Sequence, residues 1–192
     1  MIPLWHKEPE PYPNGRILCL TDLINGYTQK DEFSFCEVGV FMGDVAHHLL
    51  DAFPGMNYVG VDLWKEQDSS LYQDDANNQY LLDLAKARTL ERCKPYIDRT
   101  SFLEMSSAEA SFLFKDNDFD IIYIDANHST DAVYSDIMDW WFKSKTVVSG
   151  HDYTEGWESV IAGVTKAQDA LNFKITSDRP RSSVWWTIKE AK

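Results

Sequence analysis

Short apolar runs recur along the chain, and each is followed by a polar stretch or a segment of helical periodicity. Short apolar runs with polar boundaries are typical of buried strands. The run at residues 119–125 (FDIIYID) is almost continuously apolar, as in a central parallel strand covered on both faces. The predicted strands of this alternating part span residues 34–40, 57–63, 100–105, 119–125 and 145–149.

The segments after these strands place apolar residues at the i, i+3, i+4 and i+7 positions of one helix face. Ser106 and Glu109 have the spacing of a capping box, which predicts the start of a short helix after the third strand. The predicted helices lie at residues 46–53, at about 76–96, at 107–114, and around 133–141 and 160–171.

The order of these elements predicts the fold class. Alternating strands and helices with short connections form right-handed crossovers, and therefore a mostly parallel α/β sheet. Two last apolar runs, at residues 173–176 and 184–189, have no helix between them. They predict an antiparallel hairpin at one edge of the sheet.

Composition narrows the class of partner. The chain carries 31 acidic and 18 basic side chains, with a formal net charge of -13. Such a surface repels phosphate backbones and anionic lipids, so we expect neither nucleic acid nor membrane as a partner. Cys19, Cys36 and Cys93 lack CxxC spacing, which favours reduced, buried thiols in the cytoplasm.

The N-terminal segment differs from the rest of the chain. It contains several prolines and neither a signal peptide pattern nor an apolar run of transmembrane length. We therefore predict an extended arm or cap at residues 1–30, followed by one domain at residues 31–192.

Ligands of open doubly wound sheets bind at the carboxyl ends of the strands. At the end of the first strand and just after it, Gly39 and Gly43 allow a tight turn and a close approach of the backbone to a ligand, although they lack the GxGxxG spacing of a dinucleotide site. Asp62 ends the second strand, where an acid can accept hydrogen bonds from a ribose. A plain turn and a solvated aspartate are the structural alternatives. Together these residues favour an adenosine-containing ligand without a diphosphate.

The runs FCEVGVFMGDVAHHLL and YVGVDLW resemble the first two motifs of class I S-adenosylmethionine (SAM)-dependent methyltransferases. The runs FDIIYIDANHSTDAVYSDIMDWW and VVSGHDYTEGW resemble the family-24 type, whose members show an IDG(D/N)HSY-like segment followed by GHDY. The resemblance extends from about residue 33 to the end of the chain. It implies a Rossmann-like doubly wound sheet of seven strands in the order 3-2-1-4-5-7-6, closed by the antiparallel hairpin.

The resemblance also implies a cofactor site for SAM. Glu37 would contact the methionine amino end or orient the glycine loop, while Gly39 and Gly43 would shape that loop. Asp62 would bind the ribose. Ser107 would lie near the adenine, or would simply start a helix.

For the reaction centre, the resemblance implies that Asp125 lies beside the transferred methyl group. Metal-dependent relatives hold a divalent cation at the positions of Asp125, His151 and Asp152. His151 replaces an acid there, which disfavours Mg²⁺ and leaves a softer metal or none. His128 falls at the position of a general base in related O-methyltransferases, although a strand-tip histidine can also serve only as a loop hydrogen-bonding residue.

We therefore expect a cytoplasmic methyltransferase that methylates a hydroxyl of a small molecule or of a sugar or polysaccharide precursor. Association into a homo-oligomer is a further expectation from the relatives. Two alternatives remain: a nucleotide-dependent dehydrogenase of similar topology, and a catalytically silent SAM-fold protein that serves as a binding module.

Overall fold

Seven strands form one sheet in the order β3-β2-β1-β4-β5-β7-β6. The computed structural model describes residues 15–28, 30–68, 77–179 and 181–189. The first five strands pair in parallel, whereas β7 is antiparallel to both β5 and β6. The strands are β1 Phe33–Val38, β2 Met56–Asp62, β3 Thr100–Glu104, β4 Phe119–Ile124, β5 Ser144–Gly150, β6 Thr176–Ser177 and β7 Trp185–Ile188. The predicted sheet order and terminal hairpin are confirmed.

Helices cover both faces of this sheet. The helices are α1 Gly15–Tyr27, α2 Asp44–Ala52, α3 Gln79–Cys93, α4 Ser107–Ser111, α5 Thr130–Trp141 and α6 Glu158–Leu171, with a 3-10 segment at Lys94–Arg99. Side chains alternate along each strand. Phe35 and Ile121 therefore face the cluster of α1 and α2, whereas Cys36 and Ile122 face the cluster of α5 and α6. Every residue of β4 is buried, as predicted for the central strand.

The N-terminal segment contains a helix that the sequence analysis did not predict. The apolar residues Ile17, Leu20 and Ile24 of α1 are buried in the same cluster as α2. Residues 1–14, where the prolines lie, are outside the described ranges, so the arm and the boundary at residue 30 stay predictions. Residues 15–27 are packed against the core because their apolar side chains follow helical spacing.

Several element boundaries differ from the predictions. The predicted strand at residues 173–176 is wrong, because only Thr176–Ser177 pairs with β7. Asn172 takes a left-handed conformation after α6, and the Phe173 ring stacks on Trp141 with 4.6 Å between ring centroids. The helix predicted to reach residue 96 changes to a 3-10 segment at Lys94–Arg99. Residue 76, its predicted start, lies outside the described ranges.

The three cysteines are buried and form no disulfide, as predicted. The described helices include no candidate for a membrane-spanning segment.

The tip of β1 meets the tip of β4 at Gly39. The Asp125 N–H donates to the Val38 carbonyl oxygen at 2.7 Å. Gly39 has a φ of +93°, and a Cβ placed on it would lie 2.1 Å from the Asp125 carbonyl oxygen. This position therefore requires glycine, and β1 ends at Val38, two residues before the predicted end at residue 40.

We expect Gly39→Ala to destabilise the protein by about 3 kcal/mol or more, because both the φ and the backbone contact must change. Urea denaturation measures this free energy of unfolding. Gly26→Ala is the matched control: it lies in α1, and an added Cβ meets nothing within 4 Å. It should change stability by no more than about 1 kcal/mol. Equal effects of the two substitutions would contradict the assignment.

Candidate active site

A cavity of about 510 Å³ opens at the carboxyl ends of the parallel strands. This volume lies in the range of small-molecule and cofactor sites. Most of the predicted site residues line it, namely Glu37, Gly39, Asp62, Ser107, Asp125, His128, His151 and Asp152. Gly43 does not line the cavity.

The Asp62 carboxylate holds the loop after β1. It accepts hydrogen bonds from the backbone N–H groups of Val40 at 2.9 Å, Phe41 at 2.8 Å and Trp64 at 2.8 Å. Burial raises the pKa of Asp62, and these three donors oppose that rise. A carboxylate offers roughly four lone-pair sites, so about one remains for a ribose hydroxyl. Asp62 therefore shapes the loop as well as facing the cavity.

Gly43 positions α2 instead of contacting a ligand. Its φ is +69°, and an added Cβ would lie 2.9 Å from the Thr89 side chain of α3. The Thr89 hydroxyl donates to the Phe41 carbonyl oxygen at 2.9 Å. The tight contact between α2 and α3 thus fixes the far side of the glycine loop.

Glu37 is a buried acid at the end of β1, with only 2% of its surface exposed. The Tyr58 hydroxyl donates to its carboxylate. Burial raises the pKa of Glu37 to about 8, although Tyr58 and the Arg16 charge oppose the rise. An additional cationic group in the cavity would favour the ionised carboxylate. The position therefore suits an ammonium group such as that of a methionine moiety.

Asp125 lies at the tip of β4 and pairs with a residue of α1. Arg16 Nη1 is 2.5 Å from Asp125 Oδ2, and the Tyr123 hydroxyl donates to the same oxygen at 3.2 Å. Burial by itself would raise the pKa of Asp125, but His128 and Arg16 hold it below its usual range. Asp125 is therefore an ionised carboxylate whose charge α1 neutralises.

His128 lies between two carboxylates. Its Nε2 is 3.1 Å from Asp152 Oδ2 and 3.7 Å from Asp125 Oδ1. Burial by itself would lower the pKa of His128, but the two carboxylates raise it to about 9. The same contacts depress the pKa of Asp152 against the effect of burial. A histidine with its ordinary pKa could act as a base near neutral pH, whereas His128 is protonated there.

Both predicted histidines lie beside Asp125 and Asp152. The ligand atoms of Asp125, His128 and Asp152 all lie within 4.8 Å of one another, a spacing that could hold a metal ion. The predicted set contained His151 in place of His128. His151 Nδ1 lies 3.0 Å from Asp152 Oδ1 and 3.9 Å from Asp125 Oδ1. A cation would compete with Arg16 for Asp125 and with the proton on His128.

Sequence reasoning missed three residues around this cluster. Arg16 was assigned to the arm, although the helical spacing of its apolar neighbours could have predicted α1. Tyr123 was counted only as part of an apolar strand. Trp157 packs on His128 with 4.5 Å between ring centroids, and no sequence pattern links the two.

Known protein families were compared with the chain, and the match agrees with the geometry of the site. Residues 36–153 match the model of the family-24 methyltransferase domain. The chain belongs to this family of class I SAM-dependent methyltransferases. The match includes the glycine loop, Asp62 and the Asp125–Asp152 cluster, so the resemblance seen in the sequence is confirmed. The dehydrogenase alternative does not fit this family.

Solved structures share the fold of this methyltransferase. A structural-genomics protein from Corynebacterium glutamicum has a TM-score of 0.65 at 9% identity, with 95% of this chain and 84% of that chain covered. A candidate caffeoyl-CoA O-methyltransferase from Staphylococcus aureus has a TM-score of 0.64 at 11% identity, with 94% and 86% covered. Precorrin-6y C5,15-methyltransferase from Geobacter metallireducens has a TM-score of 0.59 at 9% identity, with 89% and 87% covered. No curated protein matches the chain at a significant level.

Arg16→Met should destabilise the methyltransferase by about 2–3 kcal/mol, because it leaves the Asp125 charge without its closest cation in a largely buried site. Arg16→Met combined with Asp125→Asn should recover part of that loss. Urea denaturation of the two single variants and the double variant gives the coupling energy. Lys166→Met is the control, since its pair with Asp131 is exposed. Strictly additive effects at Arg16 and Asp125 would contradict the coupling.

We expect Mn²⁺ or Zn²⁺ to bind the methyltransferase more tightly than Mg²⁺, because an imidazole belongs to the candidate donor set. At pH 7 binding should release a proton from His128, whose pKa is about 9. Calorimetry in buffers of different ionisation enthalpy counts that proton, and Asp152→Asn should weaken binding at least tenfold. Absence of binding heat from all three metals in every buffer would contradict a cation site.

Proposed function

We propose that this methyltransferase transfers the methyl group of SAM to a hydroxyl of a small molecule or of a sugar or polysaccharide precursor. One observation carries the proposal: the glycine loop and the Asp125–His128 pair line the same cavity. A cofactor held at the loop and a proton acceptor at β4 would thus lie within one space.

The residues present fit a SAM molecule. Gly39 lines the cavity without a side chain, and Glu37 is a buried acid suited to an ammonium group. Asp62 faces the cavity with about one lone-pair site left for a ribose hydroxyl. When bound, SAM supplies a methyl group activated by a positively charged sulfur.

The protein residues would orient the acceptor and remove its proton. Arg16 and Tyr123 hold the Asp125 carboxylate at the tip of β4. Asp152 and the Trp157 ring hold the His128 imidazole from two sides. Because the pKa of His128 is about 9, only the fraction of molecules with a neutral imidazole would accept the hydroxyl proton, and this fraction grows as the pH rises towards 9. Such base catalysis is typically worth about 10²–10⁴ in rate.

The surroundings of His128 support a sugar as the acceptor. Trp157 is 39% exposed beside it, so an aromatic face is available to the C–H groups of a sugar ring. The net charge of -13 disfavours polyanionic acceptors. A neutral sugar hydroxyl suits both features.

The test combines binding with turnover. Calorimetry should detect binding of SAM and of S-adenosylhomocysteine, and labelled SAM should transfer methyl to members of a panel of sugars and sugar nucleotides. Binding without transfer to any acceptor would favour the silent binding module. No binding of either compound would overturn the assignment.

His128→Ala should lower the transfer rate by at least about tenfold while leaving S-adenosylhomocysteine affinity within about threefold, because the imidazole acts on the acceptor. His48→Ala on α2 is the control, since His48 does not line the cavity. A decrease smaller than tenfold would reject His128 as the principal base.

A further inference from the structure

Asp136 is a buried acid on α5 that the reaction described above does not use. Only 8% of its surface is exposed, and it lines the cavity. No ion pair joins it to a cationic side chain in the part of the chain that the structure describes. Burial raises its pKa to about 6, and a hydrogen bond with Ser107 opposes the rise.

The Ser107 contact leaves most of the carboxylate available. Trp140 Nε1 donates to Ser107 Oγ at 2.8 Å, and an indole nitrogen can only donate. The hydroxyl hydrogen of Ser107 is therefore directed to Asp136. Within the described ranges this one donor occupies about one of roughly four lone-pair sites of the carboxylate. Burial of a carboxylate with so few partners is costly unless a ligand supplies another donor.

The position of Asp136 in the cavity indicates which part of an adenosyl ligand lies beside it. Arg16, Asp125 and His128 form the charged end of the cavity at the tip of β4. Ser107 follows β3, and β2 and β1 separate β3 from β4. Three strand spacings correspond to about 14 Å, a span that suits an extended adenosyl amino acid. The charged amino-acid end fits beside Arg16, Glu37 and Asp125, which leaves the base at the Ser107 end.

We propose that the Asp136 carboxylate accepts a hydrogen bond from the exocyclic amino group of the cofactor's adenine, and thereby selects adenine over a base that carries an oxygen there. This inference rests on the proposed function, because it deepens the recognition of SAM. Ser107 and Trp140 act as positioning residues that fix the carboxylate.

The experiment compares two nucleosides on the full chain. Calorimetry measures the affinities of S-adenosylhomocysteine and of S-inosylhomocysteine, which replaces the amino group by a carbonyl oxygen. The wild-type protein should prefer S-adenosylhomocysteine by about 10- to 100-fold, because S-inosylhomocysteine cannot donate the hydrogen bond to the charged Asp136 carboxylate. Asp136→Asn should reduce this ratio to within about threefold.

Two variants serve as controls. Asp139→Asn removes an acid from the same helix that does not line the cavity, and it should keep the wild-type ratio. Ser107→Ala removes the neighbour and keeps the carboxylate, so it should preserve at least a tenfold preference. Circular dichroism checks that each variant is folded.

The outcomes separate the two proposals. If the wild-type protein binds both nucleosides equally, the inference about Asp136 is wrong while the proposed function stands. If Asp136→Asn weakens both nucleosides by the same factor, Asp136 has only a structural role, and the inference is again wrong. If the wild-type protein binds neither nucleoside, the proposed function itself fails, and the inference fails with it.

Discussion

The contact between the tips of β1 and β4 determines how the candidate site is built. The Asp125 N–H donates to the Val38 carbonyl oxygen, and Gly39 lies directly against the Asp125 carbonyl group. Only a residue without a Cβ allows the two chains to approach this closely. The glycine loop and the acid of β4 therefore share one cavity.

Charge balance is the second constraint on this cavity. Asp125 and Asp152 are two nearby acids, and Arg16 and His128 provide the compensating positive charge. The same balance explains why the pKa values of the acids lie below their usual range while that of His128 is raised. It also makes α1 part of the site, because Arg16 lies on that helix. The cofactor and any cation must bind within this existing set of charges.

The end of the cavity near Ser107 follows a different principle. Trp140 donates a hydrogen bond to Ser107, which in turn bonds to Asp136, and no ion pair joins Asp136 to a cation among the described residues. A buried carboxylate of this kind interacts strongly with a single donor, because water is largely excluded. One cavity thus combines a charge-compensated end with an end that is sensitive to one hydrogen bond.

The sequence by itself determined the alternation of strands and helices, the terminal hairpin and the family, because apolar periodicity and contiguous motifs are local properties. It also identified Gly39, Asp62, Asp125 and His128 as candidate site residues, since all lie at the carboxyl ends of predicted strands or just after them. Tertiary structure decided what these residues contact. The pairing of Arg16 with Asp125 and the position of His128 between Asp125 and Asp152 depend on which elements meet in space. Hydrogen bonds and charge pairs between distant segments leave no spacing in the sequence, so neither the engagement of Asp62 nor the pKa of His128 could be predicted from it.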